Sequence, residues 1–282
     1  MLRGKNVLLS VTGSIAAYKS AFLVRELIKK GANVKVIVTE SALQFVTTIT
    51  LSTLSNNPVY KDFIKDNNTG EWNNHVDLGA WADLLLIAPA TAHTISNLVT
   101  GKADSFFLAT FLSCTAPVFL APAMDLDMFK NNSTQYNLKK LKERGIEIID
   151  PDDGQLASGL EGKGRLREPE EIVEILNQYY LDKATLKNIK VLISAGPTYE
   201  SIDPVRFIGN HSSGKMGFAI ANAAQKRGAT VHLVTGPVKL KSPDNIERID
   251  VVSASEMKKE IKNRFNDTDV LIMSAAVADY QP

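Results

Sequence analysis

With one cysteine in 282 residues, Cys114, no disulfide can close within the chain, which excludes a secreted disulfide framework. Cys114 sits in the apolar run from Phe106 to Ala116 and reads as a core side chain of a reducing compartment, so a cytoplasmic protein is expected. An excess of either charge is also missing. Thirty-two basic against 31 acidic residues leave +1, and no global field favours nucleic acid or an anionic membrane surface. Any anionic ligand must therefore be held locally. No uninterrupted stretch approaches the roughly 18 apolar residues of a membrane helix. The start, with Val7 to Val11 followed by Ala16 and Ala17, imitates a short signal peptide. Its apolar run breaks at Thr12 and Gly13, and a similar unit recurs at Lys190 to Gly196, so a strand followed by a turn is the better account.

What is present is enough apolar material, 44% of residues, for packed cores, arranged in a regular alternation. Strands are expected at Val7 to Val11, Val34 to Val38, Leu84 to Ala88, Val118 to Ala121 and Ile146 to Ile149. Helices are expected from Ala16 to Lys30, over one stretch from Thr94 to Leu112, and from Thr134 to Arg144. Parallel pairing needs such helical crossovers, so the fold class is α/β, a doubly wound parallel sheet of flavodoxin-like or Rossmann-like type. Residues 151 to 165, with four glycines, read as a mobile surface loop. Pro169 opens a helix to Tyr180, and a polar linker then leads to a second unit. The expected domains are 1–181 and 189–282. The second repeats the plan with strands near 190–194, 231–234 and 270–273 and helices at 216–227 and 256–265. Three strands with an open edge predict that this domain is only the first part of a larger one.

In open parallel sheets ligands sit beyond the carboxyl ends of the strands. After the first strand, Gly13-Ser14 opens a helix whose amides can hold an anion. Gly13-Ser-Ile-Ala-Ala lacks the two further glycines of a dinucleotide fingerprint. After the second, Thr39 and Ser41 offer hydroxyls to a phosphate around Glu40, although Ser41 also suits a helix cap. After the third, Pro89-Ala90-Thr91-Ala92 is small enough for a flat ring to lie on the backbone. The fourth ends in Pro122-Ala-Met124-Asp125. His75 is an imidazole placed just before a strand, structural or catalytic. In the second unit, Asn210-His-Ser-Ser-Gly-Lys-Met-Gly217 combines glycine, hydroxyls and a lysine at a helix start, a phosphate cradle without the full P-loop pattern.

Gly13-Ser-Ile-Ala-Ala-Tyr-Lys19, His75, Pro89-Ala-Thr-Ala and Pro122-Ala-Met together resemble the flavin-dependent cysteine decarboxylases over residues 4 to about 175. Ala195-Gly-Pro-Thr-Tyr-Glu200, Asp203-Pro-Val-Arg206, Asn210 to Gly217 and Ala275-Ala-Val-Ala-Asp-Tyr280 resemble the phosphopantothenate-cysteine ligase domain. Their fusion is the arrangement of the bifunctional coenzyme A family. The resemblance implies FMN held by Gly13, Ser14, Thr39, Ser41 and Pro89 to Ala92. It also implies decarboxylation of 4'-phosphopantothenoylcysteine, with Met124 and Arg165 on the substrate. The flavin would oxidise the cysteinyl thiol to a thioaldehyde, which eases loss of the carboxylate, and then be reoxidised by the enethiolate. His75 is the implied acid/base, and loop 151–165 the implied lid. For the second domain it implies CTP and Mg2+, with Met273, Ser274, Ala275 and Asp279 touching the nucleotide. Asn210 and Arg206 would lie nearer the chemistry that joins cysteine to phosphopantothenate. The family's nucleotide-binding lysines lie beyond Pro282, so no ligase activity is expected of these 282 residues. A homo-oligomer built from trimers, with the flavin at an interface, is implied as well.

Two positions depart from the family pattern. Asp125 stands where members carry asparagine, whose amide binds the substrate carboxylate, and Ser158 stands where they carry a cysteine acid. One reading makes Asp125 a protonated acid that bonds the carboxylate and then protonates the enethiolate, with Ser158 only positioning the lid. The other makes Asp125 ionised and bonded to the amides of its own turn. A nicotinamide-dependent reductase or a non-catalytic flavin-binding subunit would share the fold, and so would a flavin decarboxylase acting on another cysteine-containing substrate.

Overall fold

The computed structural model describes residues 2–66, 68–243 and 245–282, which form two compact units, 2–177 and 178–282. In the first, β1 (Asn6–Val11) leads through a 3-10 turn, Ile15–Tyr18, into α1 (Lys19–Lys29) and then β2 (Asn33–Val38). α1 buries Leu23, Val24 and Leu27 on one stripe, whereas Phe22 of the same helix is 55% exposed. Gly31, at φ 79°, takes the left-handed turn that ends it. There follow α2 (Thr48–Ser55), β3 (Val59–Tyr60), a small hairpin of β4 (Ile64–Asp66) and β5 (Glu71–Trp72), and α3 (His75–Trp81). β6 (Leu84–Ala90) is buried along its whole length, as a central parallel strand covered on both faces must be.

The single helical stretch expected over 94–112 is two helices, α4 (Ala92–Thr100) and α5 (Phe106–Ser113). Gly101, at φ 71°, ends the first, and Ser105 caps the second through the Leu108 amide. β7 (Val118–Pro122), α6 (Leu126–Lys130), α7 (Asn132–Glu143) and β8 (Glu147–Ile148) complete the layers. Among the described residues six strands form one parallel sheet in the order β3-β2-β1-β6-β7-β8. The winding reverses between β1 and β6, so their carboxyl ends diverge into a crevice. Leu8, Leu85, Ile87, Leu120 and Phe106 pack into one core cluster there.

Residues 151–165 do not form an irregular loop. β9 (Asp152–Gln155) pairs antiparallel with β10 (Glu161–Arg165), and the Met124 amide donates to the Gly164 carbonyl at 3.1 Å. A Cβ on Gly164 would stand 2.3 Å from the Met124 oxygen, and one on Gly162 2.8 Å from a Leu126 methyl. Gly162 and Gly164 serve close packing, whereas Gly159, at φ 87° with nothing near its Cβ position, serves the turn. α8 (Pro169–Asp182) then packs Ile172, Val173 and Leu176 inward.

The second unit has its own parallel sheet. β11 (Lys190–Ala195), a hairpin of β12 (Tyr199–Ser201) and β13 (Phe207–Gly209), α9 (Lys215–Lys226), β14 (Thr230–Thr235), β15 (Glu247–Asp250), α10 (Ala254–Phe265) and β16 (Val270–Met273) follow in order. The strand order is β15-β14-β11-β16. Edge strand β15 adds one to the three expected, and its residues Glu-Arg-Ile-Asp carry no apolar run. Burial raises the Cys114 thiol above its usual range, in keeping with its place among partly buried residues packed on the first core.

Leu85 is fully buried in that core. Leu85→Ala should lower the stability of the first unit by about 2–5 kcal/mol, read from its urea transition. A loss under about 1 kcal/mol would show that the cluster does not hold the sheet.

Candidate active site

Three side chains fasten the crevice before any ligand is considered. The buried Thr12 hydroxyl donates to the Pro89 carbonyl at 2.7 Å and accepts from the Thr91 amide at 3.1 Å, tying the end of β1 to the end of β6. Ser14 caps the 3-10 turn by accepting from the Ala16 amide, and Thr91 caps α4 through the Thr94 amide. The Ala88–Pro89 peptide is cis. Thr12 escaped the sequence reading, and the only signal for it was a hydroxyl closing an apolar strand.

The first cavity, about 830 Å3, lies over these strand ends and is lined by Gly13, Ser14, Thr39, Ser41, Thr91 and Ala92, with Ala123 and Met124 on its far side. Of the residues expected at the flavin, Pro89 and Ala90 do not line it; they form the buried end of β6 beneath. The volume falls in the roughly 300–1,000 Å3 range of ligand sites. A Cβ on Gly13 would lie 2.3 Å from Ser41 Oγ, so only glycine lets the two strand ends meet. Ser41 does not cap a helix; its hydroxyl bonds the Thr39 hydroxyl at 3.2 Å, and both remain at the cavity wall. Glu40, placed where a dinucleotide ribose acid would stand, is paired to Lys61 at 2.8 Å. His93, Asn97 and Lys102 also line this cavity and were not foreseen.

A second cavity of about 250 Å3 shares Ser14, Ala123 and Met124 with the first. It is walled by Lys19, Asp125, Gln155, Leu156, Ala157, Gly164 and Arg165, so the hairpin closes one side. Buried Lys19 donates to the Leu166 carbonyl and to Glu168, each at 2.9 Å, and Arg165 donates to the same Glu168 oxygen at 2.6 Å. The Lys19 ammonium holds the Glu168 carboxyl below the usual carboxylate range. Half-buried Asp125 stands at the start of α6, and its carboxylate makes no capping bond to its own turn. Ser158 lies exposed at the hairpin tip, where its hydroxyl accepts from the Leu160 amide, and it does not line the cavity.

His75 opens α3, capped by Asn74, rather than adjoining a strand. It lines neither cavity. Its carbonyl accepts from the Ser113 hydroxyl, its ring meets Phe63 edge-on at 5.7 Å, and its buried Nδ1 has no hydrogen-bond partner among the described residues.

In the second unit the expected residues converge at the carboxyl ends of β11 and β16. Asn210 donates to the Val277 carbonyl at 2.9 Å, and the Ser274 hydroxyl donates to the Ser194 carbonyl at 2.6 Å, with the Ala275 amide on the Ser194 hydroxyl. Met273 is exposed beside them, and a Cβ on Gly217 would strike Ala195 and Ser274. Asp279 is exposed, and Arg206 pairs with Asp203 in the hairpin turn. Two backbone amides and Arg206 itself hold the Asp203 carboxyl below its ordinary range. Among the described residues no group of three or more His, Cys, Asp or Glu is set to hold a metal ion, and no helix is long and apolar enough to cross a membrane.

A doubly wound sheet with a nucleotide-sized cavity at its switch point and a smaller pocket beside it defines a flavoprotein-type α/β domain. Residues 1–181 match the flavoprotein family and residues 186–282 the C-terminal domain family of DNA/pantothenate metabolism flavoproteins, and the chain belongs to the family that joins the two. The coenzyme A biosynthesis bifunctional protein CoaBC of Bacillus subtilis is 45% identical over 285 residues, covering 100% of this chain and 70% of that protein. A cysteine/cysteine sulfinic acid decarboxylase from an unknown prokaryotic organism is 53% identical over 242 residues, 84% of this chain and 67% of that one. Among solved structures, a PPC decarboxylase mutant complexed with pantothenoylaminoethenethiol is 33% identical with a TM-score of 0.56, over 64% of this chain and 100% of its own. The FMN binding protein AtHal3 is 32% identical with a TM-score of 0.55, over 64% and 98%.

Gly13→Ala should force Ser41 off the cavity wall. Overpacking costs about 1–3 kcal/mol, so flavin affinity should fall about tenfold or more in an absorbance titration while the fold persists. Unchanged affinity would remove the Gly13–Ser41 contact from the flavin site.

Proposed function

We propose that this chain decarboxylates 4'-phosphopantothenoylcysteine with FMN in coenzyme A biosynthesis. The observation that carries the reading is the pair of adjoining cavities, the larger sized for a flavin nucleotide and the smaller opening onto it across Ser14, Ala123 and Met124. Gly13, Ser14, Thr39 and Ser41 suit the phosphate, and Thr91 and Ala92 the ring. The chemistry FMN supplies when bound is a two-electron exchange with the cysteinyl thiol. The decarboxylase and FMN-binding structures named above support both parts.

The remaining roles belong to this chain's own residues. Met124 lines both cavities and would lie against the thiol-bearing end of the substrate. Arg165, with spare donors beyond the one on Glu168, faces the substrate's anionic groups. With an N-acylated cysteine, Asp125 carries a proton that bonds the substrate carboxylate and then passes to the carbon that loses it. Ser158 positions the hairpin tip. His75 takes and returns the thiol proton, and since it lies off both cavities, a second copy of the chain would bring it there in an oligomer built from trimers. Residues 186–282 would contribute to CTP- and Mg2+-dependent joining of cysteine to phosphopantothenate, through Asn210, Arg206, Met273, Ser274, Ala275 and Asp279. We place the protein in the cytoplasm.

A second reading, turnover of free cysteine, has a specific observation behind it. Asp125 presents a carboxylate, not an amide, to the smaller cavity, and the 53% identical relative is a decarboxylase named for cysteine itself.

Two measurements test the main reading. Cofactor released by heating should have the mass of FMN, and recovery of an adenine dinucleotide would contradict it. His75→Asn should keep the flavin and lose decarboxylation on the order of 100-fold or more, the scale of a positioned acid/base. Turnover near the parent rate would remove His75 from the reaction.

A further inference from the structure

The charges around the smaller cavity do not cancel in place. Lys19 and Arg165 are its cations, and both are committed to the single carboxylate of Glu168 just outside the lining, Lys19 also to the Leu166 carbonyl. Among the described residues Asp125 is the only acidic side chain on the lining, and its carboxylate takes no capping bond from its own turn and no ion pair from Lys19 or Arg165. The backbone bond from Met124 to Gly164 fixes that turn against the hairpin, so the carboxylate is held at the wall. A half-buried carboxylate so placed, with no partner from its own turn or from the neighbouring cations, is open to a donor from the ligand.

The two candidate forms of a cysteinyl substrate differ at one atom. In an N-acylated cysteine the nitrogen is a neutral amide with a single donor. In free cysteine it is an ammonium with three donors and a full charge. A charged donor on a carboxylate makes a bond roughly twice as strong as a neutral one. Size points the same way, since a cavity of about 250 Å3 contains a free amino acid whole, whereas a phosphopantothenoyl arm must run out of it.

We infer that the Asp125 carboxylate receives the α-ammonium of free cysteine, so that this chain also decarboxylates un-acylated cysteine to 2-aminoethanethiol, with this residue setting how well the free amino acid is accepted beside the acylated substrate. The inference rests on the flavin-dependent decarboxylase reading. The bond from the α-carbon to the carboxylate breaks, carbon dioxide leaves, and a C–H bond forms at the same carbon with one proton from solvent. There is no net oxidation, because the electrons taken from the thiol are returned to the same molecule. Asp125 acts as a specificity residue, not a proton donor, with this substrate.

The test uses the FMN-loaded full chain with two probes, free cysteine and phosphopantothenoylcysteine, reading carbon dioxide and product mass. The parent protein should convert cysteine to 2-aminoethanethiol. In Asp125→Asn, with flavin absorbance confirming an intact site, the ratio of kcat/KM for cysteine over phosphopantothenoylcysteine should fall on the order of 100-fold, chiefly through a raised KM for cysteine. Three outcomes overturn the inference. If the parent turns over only the acylated substrate, the inference falls and the main reading stands. If the ratio is the same in parent and variant, Asp125 does not select the ammonium. If neither probe loses carbon dioxide although FMN is bound, the decarboxylase reading falls and takes the inference with it.

Discussion

The hydroxyl of Thr12 is the constraint from which the rest of the first unit's chemistry follows. It joins a carbonyl and an amide at the end of β6 to the end of β1, across the point where the winding of the sheet reverses. Both partners are backbone groups that the crevice would otherwise leave unpaired away from water. With those ends fastened, Gly13 can approach Ser41 and the capping turns at Ser14 and Thr91 face one space. A nucleotide-sized cavity is thus a property of the sheet's end.

The buried strands β1 and β7 were legible because they read as unbroken apolar runs, and each extends one residue beyond the expected ones. Edge strand β16, only partly buried, also falls on the expected residues because all four are apolar. Elements without an apolar run were not legible. β15 is half exposed and polar, and α3 is a short helix that begins at His75. The division of 94–112 turned on Gly101 in the left-handed region, which the apolar run around it concealed. Gly13, Ser14, Thr39, Ser41, Thr91 and Ala92 come to one wall as the strand-end rule requires, whereas Pro89 and Ala90 turned out to be the floor under it. The position of His75, off both cavities, could not be read from sequence, because it depends on where a side chain lies around the fold, not along it.

Glycine had two opposite meanings in this chain. At Gly31 and Gly101 it supplies a positive φ that stops a helix. At Gly13 and Gly164 it supplies the absence of a side chain, so that backbone or another residue can fill the place of a Cβ, and Gly162, at φ 151°, answers to both demands. Composition alone reads both as looseness. The distinction matters for the smaller cavity, whose wall is formed by the hairpin that those glycines allow to dock.

The root of that hairpin is fastened on both sides, by Arg167 on Asp152 at 3.1 Å and by Arg165 and Lys19 on Glu168, while Ala157, Ser158 and Gly159 at the tip are exposed. Mechanically it is a cantilever clamped at one end. Its compliance rises toward the free end, so a load applied by an entering ligand bends the tip and leaves the clamp unmoved. Arg165 belongs to the clamped frame at the cavity wall, and the residues around Ser158 to the free end.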